Sequence, residues 1–173
     1  MDTQTLPASI TGTPDGATFA PQTGLDPGAY RRVAEALGPV LADSYLLFIK
    51  TQGLHWNVSG GNFYGVHQLT EKIYQELYEA LDVLAERIRA LGQPAPASYA
   101  SYGRMSRIAD TESAGAPADQ VRGLIADNGI LCDTLRAALA VAEEDNDVVT
   151  VDLLTQRLGK HEQYGWMLEM LVS

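Results

Sequence analysis

An all-α four-helix bundle, with one long crossover between its second and third helices, is predicted by two features of this chain. Apolar residues recur at steps of three and four along four separate stretches, the mark of helices with one buried face. The stretches are separated by clusters of Gly, Pro, Ser and Asn, and the separator between the second and third is by far the longest. At 173 residues and 46% apolar content, the chain supports one domain with a substantial core.

Residues 1–25 are rich in Thr, Pro, Gly and Ala without periodicity and read as a mobile tail, leaving 26–173 as the domain. Asp26-Pro27 then starts the first helix, Asp as N-cap and Pro in the first turn. It runs to about Val58 and carries Val33, Leu37, Val40, Leu41, Leu47 and Phe48. Ser59-Gly60-Gly61-Asn62 breaks it and caps the second helix, which closes at Leu91-Gly92. Pro94, Pro96 and the segment through Gly115 form the crossover, with one short helix expected around Arg104 to Asp110. A third helix spans Pro117 to about Glu144 and a fourth Asp147 to Leu171. This arrangement matches the ferritin-like form of the four-helix bundle, which normally holds metal inside one chain on Glu-x-x-His motifs. Here the residues three before His55, His67 and His161 are Gln52, Tyr64 and Leu158, so a centre of that kind is disfavoured.

The second helix carries the chemistry. Leu69, Ile73, Leu77, Leu81, Leu84, Ile88 and Leu91 form its core stripe. At about 100° per residue, His67, Glu71, Asp82 and Glu86 fall together on the opposite face. Glu71 and Asp82 are eleven residues apart, about 16 Å along the axis, too far to share one ion. A second copy running antiparallel across a two-fold axis removes the difficulty. If 67 faces 86, then 71 faces 82, and one symmetry operation builds two equivalent sites, each with His and Glu from one chain and Asp and Glu from the other. His55 joins from the end of the preceding helix. Charged residues opposite an apolar stripe are also what a solvated face looks like, and on spacing alone the two readings weigh evenly. Tyr74 and Tyr78, lying between the ligand pairs on the same face, favour a covered surface.

HWNVSGGNFYGVH, followed by DVLAERIRALG and closed by HEQYGWMLEMLV, resembles the Dps family, the mini-ferritins or DNA-binding proteins from starved cells, over roughly residues 30 to 172. The resemblance implies a homo-oligomer, a hollow dodecamer with iron-oxidising centres at two-fold interfaces, which oxidises Fe(II) preferentially with hydrogen peroxide and stores ferric mineral. His55, Asp82 and Glu86 match the family's primary iron ligands, and His67 and Glu71 its second, weaker site. Glu71 stands where the family more often has Asp, and Gln68 where it has Glu. Trp56, beside His55, is expected to pack at an interface, and Arg87 to anchor a carboxylate. By the same resemblance, acidic Asp147 and Asp152 line a three-fold pore that concentrates Fe²⁺. In the nearby run Glu143, Glu144, Asp145, carboxylates at a helix C-terminus also read as a solvated turn.

Charge and composition bound the partners. Residues 1–30 hold Asp2, Asp15 and Asp26 and no Lys or Arg, and twelve copies at −10 each carry −120, so strong DNA binding is not expected. A nucleoid-condensing protein using Arg31 and Arg32 is the alternative reading, and a helical oligomer with a silent site is a third. No apolar run reaches bilayer length and the N-terminus lacks a secretory pattern, so no membrane and a cytoplasmic location are expected. The single Cys132, among Ile130, Leu131 and Leu135, reads as a core residue, and His161 as a surface or packing residue.

Overall fold

The computed structural model describes residues 19, 21–111 and 115–173, and all regular structure among them is helical. The elements are α1 (Pro27–Asn57), α2 (Phe63–Ala90), α3 (Tyr99–Met105), α4 (Pro117–Glu144) and α5 (Val148–Glu169). Most of the expected tail, residues 1–18 and 20, lies outside the described residues.

Helix α1 opens where Asp26 takes extended backbone and its carbonyl accepts the Ala29 N–H at 2.9 Å, although the Asp26 carboxylate makes no capping hydrogen bond. At the other end Gly60 holds φ at +94°, a left-handed conformation that glycine adopts without steric cost. The chain therefore reverses in five residues, and α2 returns antiparallel along α1. Helix α2 closes with Gly92 at φ +81°, the N–H groups of Gly92 and Gln93 turning back to the carbonyls of Arg89 and Ile88.

The core is the set of apolar stripes laid against one another. Leu37, Leu41, Leu47 and Leu54 of α1 meet Ile73, Leu77, Leu84 and Ile88 of α2, with Leu131 and Leu135 of α4 and Leu154 of α5, all essentially fully buried. Helix α1 packs on both α2 and α4, and α4 on α5. Cys132 is buried in α4, and desolvation pushes its thiol up, as suits a core residue. Among the described residues no helix is long and apolar enough to cross a membrane.

One element departs from the sequence reading. The short crossover helix lies at Tyr99–Met105, five residues before the expected start at Arg104. Tertiary contacts choose that register. Ser98 caps the helix by accepting the Ser101 N–H, and Tyr102 stacks on Tyr45 of α1 with ring centroids 4.4 Å apart. Its end is set by Asp43, a fully buried carboxylate of α1. The Asp43 Oδ1 accepts the Ser106 hydroxyl at 2.7 Å, the Arg107 N–H at 2.7 Å and the Ile108 N–H at 3.3 Å, while Oδ2 accepts the Thr134 hydroxyl at 2.7 Å. Backbone donors taken by a carboxylate from another helix cannot continue their own.

Candidate metal centre

The tight α1–α2 reversal brings the last turn of one helix against the first turn of the next. His55 and His67 consequently stack face to face, ring centroids 3.9 Å apart and 15° from parallel. The Nδ1 of His55 lies 2.9 Å from the His67 carbonyl, and the Nδ1 of His67 lies 3.0 Å from the His55 carbonyl. A carbonyl only accepts, so both Nδ1 atoms donate, and in the neutral ring it is Nε2 that carries the lone pair. Each imidazole is thus held in the tautomer a metal ligand needs, with its second nitrogen fixed by a backbone oxygen. Phe63 stacks on His67 at 4.9 Å and Tyr74 meets His55 edge-on at 5.1 Å, so the pair is wedged between aromatics.

Glu71 follows His67 by one helical turn and is half-buried, with Gln68 Nε2 3.5 Å from its Oε2. Asp82 and Glu86 stand farther along α2 and are exposed. The structure brings His55 and His67 together, places Glu71 one turn away, and does not bring Asp82 and Glu86 to them. Among the described residues, no three His, Cys, Asp or Glu side chains of the single chain gather into a site able to hold a metal ion. Exposed aromatics accompany the ligand face: Tyr78 is 69% exposed and Trp56 68%. Beside Asp82 a groove runs between Tyr78 and the stacked Tyr45–Tyr102 pair, where burial first and Tyr45 second push the Tyr102 hydroxyl up to about 12.

Asp147, expected at a pore, is tied into the single chain. It is the N-cap of α5, 2% exposed, accepting the Thr150 N–H at 3.1 Å and the Thr150 hydroxyl at 2.6 Å. Arg87 Nη2 donates to both its oxygens at 2.7 Å. Burial pushes this carboxyl up, but the bonds from Arg87 and Thr150 outweigh that and hold it below the ordinary range. Within the single chain this carboxylate is a structural cap. Arg87 anchors a carboxylate as expected, and that carboxylate is Asp147. Asp152 is exposed and accepts one bond, from Gln156 Nε2 at 2.8 Å.

His161 is not at the surface. It is fully buried between α4 and α5, in contact with Asn128 and Arg157. Arg157 stands one turn back on α5 itself, but Asn128, the partner of the His161 Nδ1, comes from α4 and left no local signal. Asp43 escaped notice for the same reason.

Residues 34–173 match the family model for the ferritin-like domain. The chain is 32% identical to a DNA protection during starvation protein of Brevibacillus brevis over 141 residues, covering 82% of this chain and 95% of that one. It is also 32% identical to a protein of the same description from Helicobacter pylori, over 78% of this chain and 94% of that one. Among solved structures it superposes with TM-score 0.81 on a Dps protein of Vibrio cholerae, 27% identical, covering 96% of this chain and 99% of that chain. That protein is described as a member of a broad superfamily of ferritin-like diiron-carboxylate proteins.

Proposed function

The chain belongs to the Dps family of ferritin-like proteins, and from that premise we propose that it is a ferroxidase and iron store whose oxidising centres are completed between two subunits. The observation that carries this reading is the reciprocal histidine pair, with both Nε2 lone pairs free and the remaining carboxylates stranded along the same helix. A two-fold partner laid antiparallel on α2 would bring its Asp82 and Glu86 to this chain's His55, His67 and Glu71, and would cover Tyr78.

Iron is the substrate of this centre. Neutral imidazoles and carboxylates suit ferrous ion, and the carboxylate charge favours Fe(III) over Fe(II), which eases electron loss. With two ferrous ions held side by side, each gives one electron to a single peroxide. The O–O bond then breaks with uptake of two protons, two waters form, and no hydroxyl radical is released. The product is retained as ferric mineral within a dodecameric shell, and of the two pore candidates, Asp147 and Asp152, the exposed Asp152 is the freer to attract Fe²⁺.

Protection by DNA condensation is the weaker alternative. The arginines it would use stand beside carboxylates: Arg31 lies 3.7 Å from Glu35, and Arg32 Nε donates to Asp145 at 3.0 Å. With −10 per chain, long-range repulsion of phosphate adds to this.

Peroxide-driven oxidation of Fe²⁺, followed by absorbance of the ferric product, tests the proposal. The parent should turn over, and Asp82→Ala or His55→Ala should lower the initial rate by at least about tenfold, the scale on which lost support at a metal site is felt. Equal rates in parent and variants, or none in the parent, would refute it.

A further inference from the structure

Inside the bundle lies a second set of polar side chains that the interface does not use. Asn128 Nδ2 donates to the His161 carbonyl at 2.8 Å, which leaves Asn128 Oδ1 facing the ring, 2.8 Å from His161 Nδ1. An amide oxygen only accepts, so Nδ1 bears the proton and Nε2 the lone pair. Arg157 Nη2 lies 3.1 Å from that Nε2 and donates to it. The same guanidinium grips Glu76 of α2 through both terminal nitrogens, Nη2 at 3.1 Å from Oε2, and the Tyr164 hydroxyl donates to Glu76 Oε2 at 2.9 Å. Arg157, His161 and Tyr164 are all buried. Burial first and the Arg157 charge second hold His161 at about 3, so the ring is neutral at physiological pH.

A carboxylate and a neutral imidazole presenting Nε2, both bonded to one buried guanidinium, are oxygen and nitrogen donors of the kind a divalent-metal site uses, and the phenol donates to the same carboxylate. The guanidinium stands between Glu76 and His161. We propose that Glu76 and His161 form the ligand pair of a metal site within the single subunit, with Tyr164 orienting the carboxylate, and that Arg157 keeps the site closed by supplying the cation itself. A groove lined by Glu76, Val83, Leu153, Arg157 and Lys160 opens onto the pair and gives an ion and its waters a route in once the guanidinium is gone. Arg157 is therefore a specificity-determining residue. It excludes metal from the bundle interior and leaves the outward face of α2 as the place where ions collect. Glu-x-x-His motifs are absent, so this donor pair is reached by a different spacing, one residue from α2 and one from α5.

Arg157→Met, which keeps the aliphatic stem, and Arg157→Ala are titrated as full-length proteins with Co²⁺, read by visible absorption and by the metal-to-protein ratio. One Co²⁺ per chain beyond the parent's count is expected, lost when His161→Gln is added, together with a Co²⁺-dependent rise in Tm larger than the parent's. Three results would overturn the proposal: folded variants with no extra ion, an extra ion that persists without His161, or a parent that itself loses an ion on His161→Gln. If both variants fail to fold, Co²⁺ should restore folding by replacing the missing charge beside Glu76, and failure to restore it also overturns the proposal.

Discussion

Acid should destabilise this protein through His161 in a way that can be isolated. The folded chain holds that imidazole neutral, at about 3 against 6.5 when unperturbed, by burying it first and by setting Arg157 beside it second. Between those values the unfolded chain binds a proton that the folded chain refuses. Stability is therefore intact above pH 6.5 and falls as the pH drops below it, by up to about 1.4 kcal/mol per pH unit, levelling off near pH 3. From pH 7 to pH 4.5 the single group removes about 2.5 kcal/mol. Carboxylates titrate over part of the same range, so the measurement is a double difference: urea unfolding followed by circular dichroism at both pH values, in the parent and in His161→Gln. The variant starts about 1–3 kcal/mol less stable, having disturbed buried hydrogen bonds, but should lose about 2.5 kcal/mol less than the parent on acidification. Equal losses in the two proteins would refute a buried, neutral His161.

Other expectations concern the cap, the turn and the surface. Asp147→Ala should lower stability by about 3 kcal/mol or more, since it strips a helix cap and leaves the Arg87 guanidinium, 11% exposed, without its carboxylate; a thermal melt reads this. Asp152→Asn should leave the melt within about 0.5 kcal/mol of the parent yet slow ferrous uptake in stopped-flow absorbance, and an unchanged uptake rate would remove Asp152 from the pore. Gly60→Ala should cost about 1–2 kcal/mol from backbone strain alone, because φ is +94° while no atom lies within 4 Å of the added Cβ. In a gel shift at about 0.15 M salt the protein should not retard duplex DNA; retardation would revive the reading built on Arg31 and Arg32.

The bundle was legible because each helix announces itself locally. Leu77, Leu84 and Ile88 repeat at helical spacing and are buried, and Gly60 and Gly92 stand where the chain leaves the right-handed region. The metal-ligating types on α2 were legible for the same reason, since a helix converts spacing into a shared face. What local pattern does not carry is which polar groups find each other. The crossover helix was misplaced by five residues because its register is held by Tyr45 and Asp43 of α1, more than fifty residues away along the chain. That Asp147 caps α5 is equally invisible in the sequence, because the groups that hold it include Arg87 of α2, sixty residues away.

Sequence alone therefore determined the four long helices, their buried faces, the family, and the types of residue offered to iron, because periodicity and short motifs are properties of neighbouring residues. Tertiary structure alone decided that His55 and His67 hold each other's Nδ1 through reciprocal carbonyl contacts, and that Arg157 lies between Glu76 and His161. The direction of a lone pair or a guanidinium depends on hydrogen-bond partners from distant segments, and those partners exist only once the helices have packed.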